Sequence, residues 1–209
     1  MDIRRDFYLE KLIKRKNNGL IKVITGIRRC GKSYLLNNIF YHHLLDSGVE
    51  ADHIIRFAFD SADDLYLIGE SLIQIEKEKR GADPEKFMAY IRSKTTGEGI
   101  YYLLLDEIQM LDCFEAVLNG YLRKENIDVF VTGSNAKLLS KDIATEFAGR
   151  GDEIHMYPLS FAEFMSVYNG DKYTGLSEYM LYGGIPLVVL RDGAGDKATA
   201  LQNLFNEIY

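Results

Sequence analysis

Residues 26 to 33, "GIRRCGKS", set two glycines, a lysine and a serine in the spacing G-x-x-x-x-G-K-[ST]. A loop with that spacing can wrap a phosphate chain in successive backbone N–H groups, and a helix that follows it points its positive end at the same anion. Lys32 would then reach the β- and γ-phosphates, and the Ser33 hydroxyl would ligate Mg²⁺. Gly26, Ile27, Arg28, Arg29, Cys30, Gly31, Lys32, Ser33 and Tyr34 form the candidate nucleotide-binding segment. Arg28 and Arg29 add positive charge to it, although a solvated loop arginine is the commoner outcome. Cys30 sits near a helix start, which favours a thiolate, but a bound anion would oppose that, so no redox role is assigned.

Hydrolysis needs a second set of groups. "YYLLLDE" is an apolar run ending in two carboxylates, Asp106 and Glu107. Asp106 suits the Mg²⁺ shell, usually through water, and Glu107 could orient or deprotonate an attacking water. "VTGSN" ends another apolar run with Ser134 and Asn135, which could hold that water or the γ-phosphate, or simply make a turn. Arg150, between glycines in "FAGRG", could neutralise transition-state charge, in cis or from a neighbouring subunit. Asp60 closes a further apolar run, a place from which it could face the same site, although most residues so placed are simple turn formers. The four histidines form no metal set.

These groups need a scaffold. "DFYLEKLIKRK" (6 to 16) reads as a helix closed by Asn17, Asn18 and Gly19. Five strands are predicted: "LIKVIT" before the loop, "IIRFAFD" (54 to 60), "IYYLLLDE" (100 to 107), "IDVFVTGS" (127 to 134) and one within "DEIHMYPLS". Helices are predicted from Lys32 to about Asp46, over 64 to 80, from Asp83–Pro84 to about Lys94, after the capping-box spacing "DCFE" (112 to 115), over 137 to 147 and after a second capping box, "SFAE" (160 to 163). Strands alternating with helices imply a mainly parallel sheet between helical layers. Strand signals stop near residue 159. Two units follow: a core over 1–159 and a small helical lid over 160–209, broken at "YGGIP". The last residues stay in helical register, so the natural protein is expected to continue.

The totals exclude little else. The chain has 209 residues, 47% of them apolar, which is ample for a core. Its longest apolar runs are far below the roughly 20 residues a membrane helix needs, and no secretory leader is visible at Met1. Two cysteines and no metal spacing suggest reduced thiols and a cytoplasmic setting. A net charge of -6 gives no support to broad nucleic-acid binding, though a local DNA contact stays open.

"GIRRCGKS", "YLLLDEIQ", "VTGSNAKLL", "GRGDEIHMYPLSFAEF" and "YGGIP" occur in the order seen in a group of bacterial and archaeal AAA+-type P-loop ATPases, which the chain resembles from about residue 4 onward. Members of that group carry a C-terminal domain of unknown function, likened to restriction-type nucleases, that is not among these residues. The resemblance implies AAA+ strand order, with the fourth strand between the loop strand and the Asp106 strand, and a lid beginning at Ser160. It also implies ATP as the nucleotide and brings Ser134 and Asn135 to the γ-phosphate.

An Mg²⁺-dependent ATPase that couples hydrolysis to conformational change in an attached or partner domain is the leading expectation. A nucleotide-gated binding module with little hydrolysis is the alternative. A small-molecule kinase finds no second basic cluster to hold an acceptor.

Overall fold

A computed structural model describes residues 3–133 and 149–208. Ser134, Asn135 and the helix expected over 137–147 lie outside the described residues.

Five strands form one parallel sheet: β1 (Ile21–Thr25), β2 (Ile54–Ala58), β3 (Tyr101–Asp106), β4 (Ile127–Thr132) and β5 (Gly151–His155). Their spatial order is β2-β3-β4-β1-β5, so β4 lies between β1 and β3 as expected. β1 and β3 are buried along their whole length because both faces of the sheet are covered. The alternation of β3 shows this directly. Tyr101, Leu103 and Leu105 join Phe57, Phe87, Ile91 and Phe114 on one face, while Tyr102 and Leu104 join Leu35, Phe40, Leu44 and Phe130 on the other.

The first face carries α4 (Ala62–Leu67), α5 (Leu72–Glu78), α6 (Pro84–Lys94) and α7 (Phe114–Tyr121). The second carries α1 (Asp6–Arg15) and a continuous helical run of α2 (Lys32–Tyr34), a π-helical stretch (Leu35–Phe40) and α3 (Tyr41–Asp46). The molecule is thus an α/β three-layer sandwich of the P-loop NTPase type. A small helical region follows: α8 (Phe161–Met165), α9 (Lys172–Tyr182), α10 (Pro186–Val189) and α11 (Ala194–Ile208). No helix among the described residues is long and apolar enough to cross a membrane.

Local signals set several boundaries. Asp83 accepts from the Glu85 and Lys86 amides at 2.8 and 3.1 Å, with Pro84 opening α6. Ser160 and Glu163 form the expected capping box of α8. Two expectations fail. The helix expected over 64–80 is two helices, because Gly69 (φ +70) turns the chain after α4 and Ser71 restarts it. "DCFE" is not a capping box: Leu111 bridges Ala82, Asp112 accepts the Gly81 amide at 2.9 Å, and α7 starts one residue later from Cys113. Pairing with a distant segment recruits the carboxylate that would have capped.

Lys22, in the middle of apolar β1, is fully buried and donates to Asp128 and to the Leu20 carbonyl. Burial pushes its pKa down, and the Asp128 carboxylate opposes that.

Candidate functional site

Strands that all run one way bring their C-terminal ends to one edge, where open α/β sheets hold ligands. At this edge β1 leads into the loop through Gly26, β3 ends in Asp106 and β4 ends in Thr132. The registers Ile24↔Thr132 and Leu105↔Val131 make the three ends neighbours.

The loop's conformation demands its glycines. Gly26 has φ +142, and a Cβ there would lie 2.2 Å from the Met156 carbonyl oxygen, just beyond β5. Gly31 has φ +100 and starts α2. Between them Ile27, Arg28 and Arg29 are exposed, Arg29 with φ +64, and Cys30 is fully buried. Burial pushes the Cys30 thiol up, with Lys32 and Arg5 pulling the other way, so Cys30 packs as a small apolar group. Lys32 is 4% exposed, and its Nζ donates to the carbonyls of Gly26 and Ile27, each at 3.0 Å. The ammonium is held inside the curl of the loop.

Four polar groups meet beneath it. Ser33 Oγ donates to Asp106 Oδ1 at 3.1 Å, Asn37 Nδ2 donates to Asp106 Oδ2 at 3.3 Å, and the Thr132 hydroxyl also donates to Oδ1. Asp106 is 5% exposed and, among the described residues, pairs with no lysine or arginine. Burial pushes its carboxyl up; the Thr132 and Ser33 hydroxyls pull it down, and Glu107 and Asp60 add repulsion. Asp60 lies two residues past the end of β2, which stops at Ala58, and is pushed up for the same first reason, with Glu107 and Asp64 adding to it and Arg28 opposing. Oxygen donors around excess negative charge suit a hard divalent cation such as Mg²⁺.

Glu107 is half-buried in the left-handed region (φ 50, ψ 49), which is uncommon for a residue with a side chain. Its amide donates to Thr132 Oγ1 at 3.2 Å, and Gln109 donates to its carboxylate.

The structure therefore brings together the segment from Gly26 to Tyr34, Asp106 and Glu107. It does not bring Arg150. The Arg150 carbonyl accepts the Ile21 amide at 2.9 Å, at the opposite end of β1, and its guanidinium donates to Asn119 at 3.3 Å. The five residues of β1 put about 15 Å between Arg150 and the loop. A cis role for Arg150 is corrected by this placement: the residue lies just before β5, at the strand end remote from the loop.

Two further residues belong to this cluster, Asn37 and Thr132. Asn37 lies four positions after Ser33, on the same helical face, which is a readable signal. Thr132 ends an apolar strand and looks like one more strand residue.

Beside the loop lies a cavity of about 340 Å³, walled by Ile3, Tyr34, Met156, Leu159, Pro186 and Leu187. It is mainly apolar and joins the loop to α10. A larger cavity of about 580 Å³ follows the outer edge of β2 and holds none of the loop residues.

Residues 18–165 match a family described as an AAA domain. The chain is 36% identical over 212 residues to an uncharacterized protein of Haemophilus influenzae, covering 99% of this chain and 49% of that one. It is 31% identical over 225 residues to an uncharacterized protein of Methanocaldococcus jannaschii, covering 99% and 44%. The chain thus spans about half the length of these curated relatives. Among solved structures, the S. cerevisiae Hsp104:casein complex superposes with a TM-score of 0.53 at 17% identity, over 87% of this chain and 31% of that one, a likeness of fold. By the match over residues 18–165 and by strand order, the chain belongs to the AAA domain family and has a nucleotide-binding fold of the AAA+ ATPase type.

Proposed function

We propose that the chain binds MgATP at the 26–34 loop and hydrolyses it, driving movement of the helical region and of an attached or partner domain. The observation that carries this is Asp106, which is buried, lacks a basic partner among the described residues and is gripped by hydroxyls from the loop helix and from β4.

The loop amides and Lys32 hold the β- and γ-phosphates, the ammonium exchanging carbonyl partners for phosphate oxygens. Ser33 and Asp106 would hold Mg²⁺, which when bound supplies positive charge to the phosphate oxygens. Glu107 orients the attacking water and accepts its proton, with its backbone set by Thr132 and its carboxylate steadied by Gln109. Ser134 and Asn135, next along the chain from β4, stay assigned to the γ-phosphate or the water. The apolar cavity suits the flat face of a base, and adenine is the assignment. Arg150 is exposed and far from its own loop, so its remaining role is in trans, within a homo-oligomer. A cytoplasmic setting and the further C-terminal domain complete this reading; DNA is a partner that charge does not favour.

Phosphate release from MgATP, compared between wild type and Glu107→Gln, tests the proposal. The variant should bind ATP normally and turn over about 10²–10⁴-fold more slowly. Equal turnover in the two would remove hydrolysis from the assignment.

A second reading rests on the cavity: because α10 forms part of its wall, occupancy alone could set the helical region. Full partner switching by a non-hydrolysable ATP analogue would favour it.

A further inference from the structure

The N-terminal segment holds a buried cation that the scheme above does not use. Arg5 is 3% exposed, and its guanidinium reaches three parts of the chain at once. One nitrogen donates to the Cys30 carbonyl inside the phosphate loop at 3.3 Å. Another donates to the Tyr157 carbonyl, between β5 and α8, at 2.7 Å. Nε lies 3.0 Å from Glu163 Oε1, in an ion pair that is off-line as a hydrogen bond. Tyr8 completes the clamp: its ring lies 4.7 Å from the guanidinium carbon, and its hydroxyl accepts the Tyr157 amide at 3.0 Å.

Each partner leads onward. Cys30 is next to Gly31 and Lys32. Glu163 caps α8 with its other oxygen, accepting from the Ser160 amide at 2.8 Å and the Ser160 hydroxyl at 2.9 Å. Leu159 is tied to the helical region twice: its amide donates to the Gly184 carbonyl at 2.7 Å and its carbonyl accepts the Tyr179 hydroxyl at 2.7 Å. Gly184 must be glycine, because a Cβ would lie 2.2 Å from the Leu159 carbonyl oxygen. Two residues later, Pro186 and Leu187 wall the cavity beside the loop. Arg5 itself lines that cavity.

We propose that Arg5 is a positioning residue that couples the phosphate loop to the helical region, so that filling the cavity beside the loop sets the position of residues 160–190. This rests on the nucleotide reading above. The guanidinium suits the task because it is planar, permanently charged and donates in several directions at once; a lysine ammonium in the same place cannot keep the loop carbonyl, the linker carbonyl and Glu163 together. A buried charge that loses one of these partners is left poorly satisfied, so a shift of the loop is felt at Glu163 and the reverse.

Hydrogen exchange over residues 160–190, with and without MgATP, is the test, run on wild type, Arg5→Lys and Glu163→Gln alongside ATP affinity and turnover. Glu163→Gln preserves the α8 capping box, since glutamine serves there, and removes only the charge facing Arg5. Wild type should show nucleotide-dependent protection of 160–190. Both variants should lose most of that protection and turn over roughly 10- to 100-fold more slowly, with the ATP affinity of Glu163→Gln, which does not line the cavity, within about threefold of wild type. Wild-type protection in both variants would overturn the coupling. So would a loss of ATP affinity in Arg5→Lys that matches its fall in turnover while Glu163→Gln behaves as wild type, because Arg5 would then only brace the loop. Failure of wild type to bind MgATP would instead sink the nucleotide reading, and the coupling with it.

Discussion

The Thr132 hydroxyl donates to the Asp106 carboxylate and accepts the Glu107 amide at 3.2 Å. One side chain at the end of β4 therefore fixes both acidic residues at the end of β3. Because Thr132 has no exposed surface, water cannot take over either bond.

Thr132→Val keeps the shape and removes the hydroxyl. The lost bond to a buried carboxylate is expected to lower stability by about 1.5–3 kcal/mol. Urea unfolding would measure this, and in parallel the magnesium dependence of ATP turnover should move to higher concentration. A Val variant with unchanged unfolding midpoint and unchanged magnesium response would show that Thr132 merely fills space.

Lys32→Ala leaves the loop without its ammonium. ATP affinity should weaken by at least about 2 kcal/mol, a factor near 30, as for a charge-assisted contact. Because Nζ also ties the carbonyls of Gly26 and Ile27, some thermal stability should go too. Fluorescent nucleotide titration separates the two effects; retained affinity would displace the loop as the phosphate site.

Arg150→Ala discriminates between an isolated and an assembled chain. With Arg150 about 15 Å from its own loop, ATP affinity in the dilute monomer should not change. If the trans role holds, wild-type turnover rises with protein concentration and the variant's does not. A variant whose turnover matches wild type at every concentration would remove Arg150 from the chemistry.

Glu70 offers a pH test away from the site. It is buried between Arg80, which donates to it at 2.7 Å, and Lys86. Burial alone would push its pKa up, but hydrogen bonds from Lys86 and Arg80 outweigh this, and the net direction is down from the ordinary 4.5. A carboxylate with a lowered folded pKa adds stability above its unfolded pKa and loses it as pH falls through the folded value. Stability contributed by Glu70 is therefore complete at neutral pH and declines below about pH 4.5. Glu70→Gln should flatten that part of a stability-against-pH curve, read by thermal unfolding between pH 7 and 3. An unchanged acid limb would show the two ion pairs to be energetically idle.

Much of the molecule is written in short-range chemistry. Gly26, Gly31, Lys32 and Ser33 announce a phosphate loop because the dihedral angles at 26 and 31 favour glycine and a cation completes the loop. Asp83–Pro84 and Ser160–Glu163 announce helix starts because their capping bonds reach two or three residues along the chain. Apolar runs such as "YYLLL" announce strands covered on both faces.

Tertiary structure decided what no local pattern carries. Thr132 reads as one more strand residue until β4 is inserted between β1 and β3, and Arg150 is open to a role at its own loop until β5 is found to begin at the far end of β1. Asp112 has the spacing of a cap, yet pairing with residues 81 and 82 takes it elsewhere. Arg5 looks like a terminal surface charge and is instead buried among segments 25, 152 and 158 residues away. In each case the partner is brought in by sheet order and packing, and neither has a period that a single stretch of sequence can display.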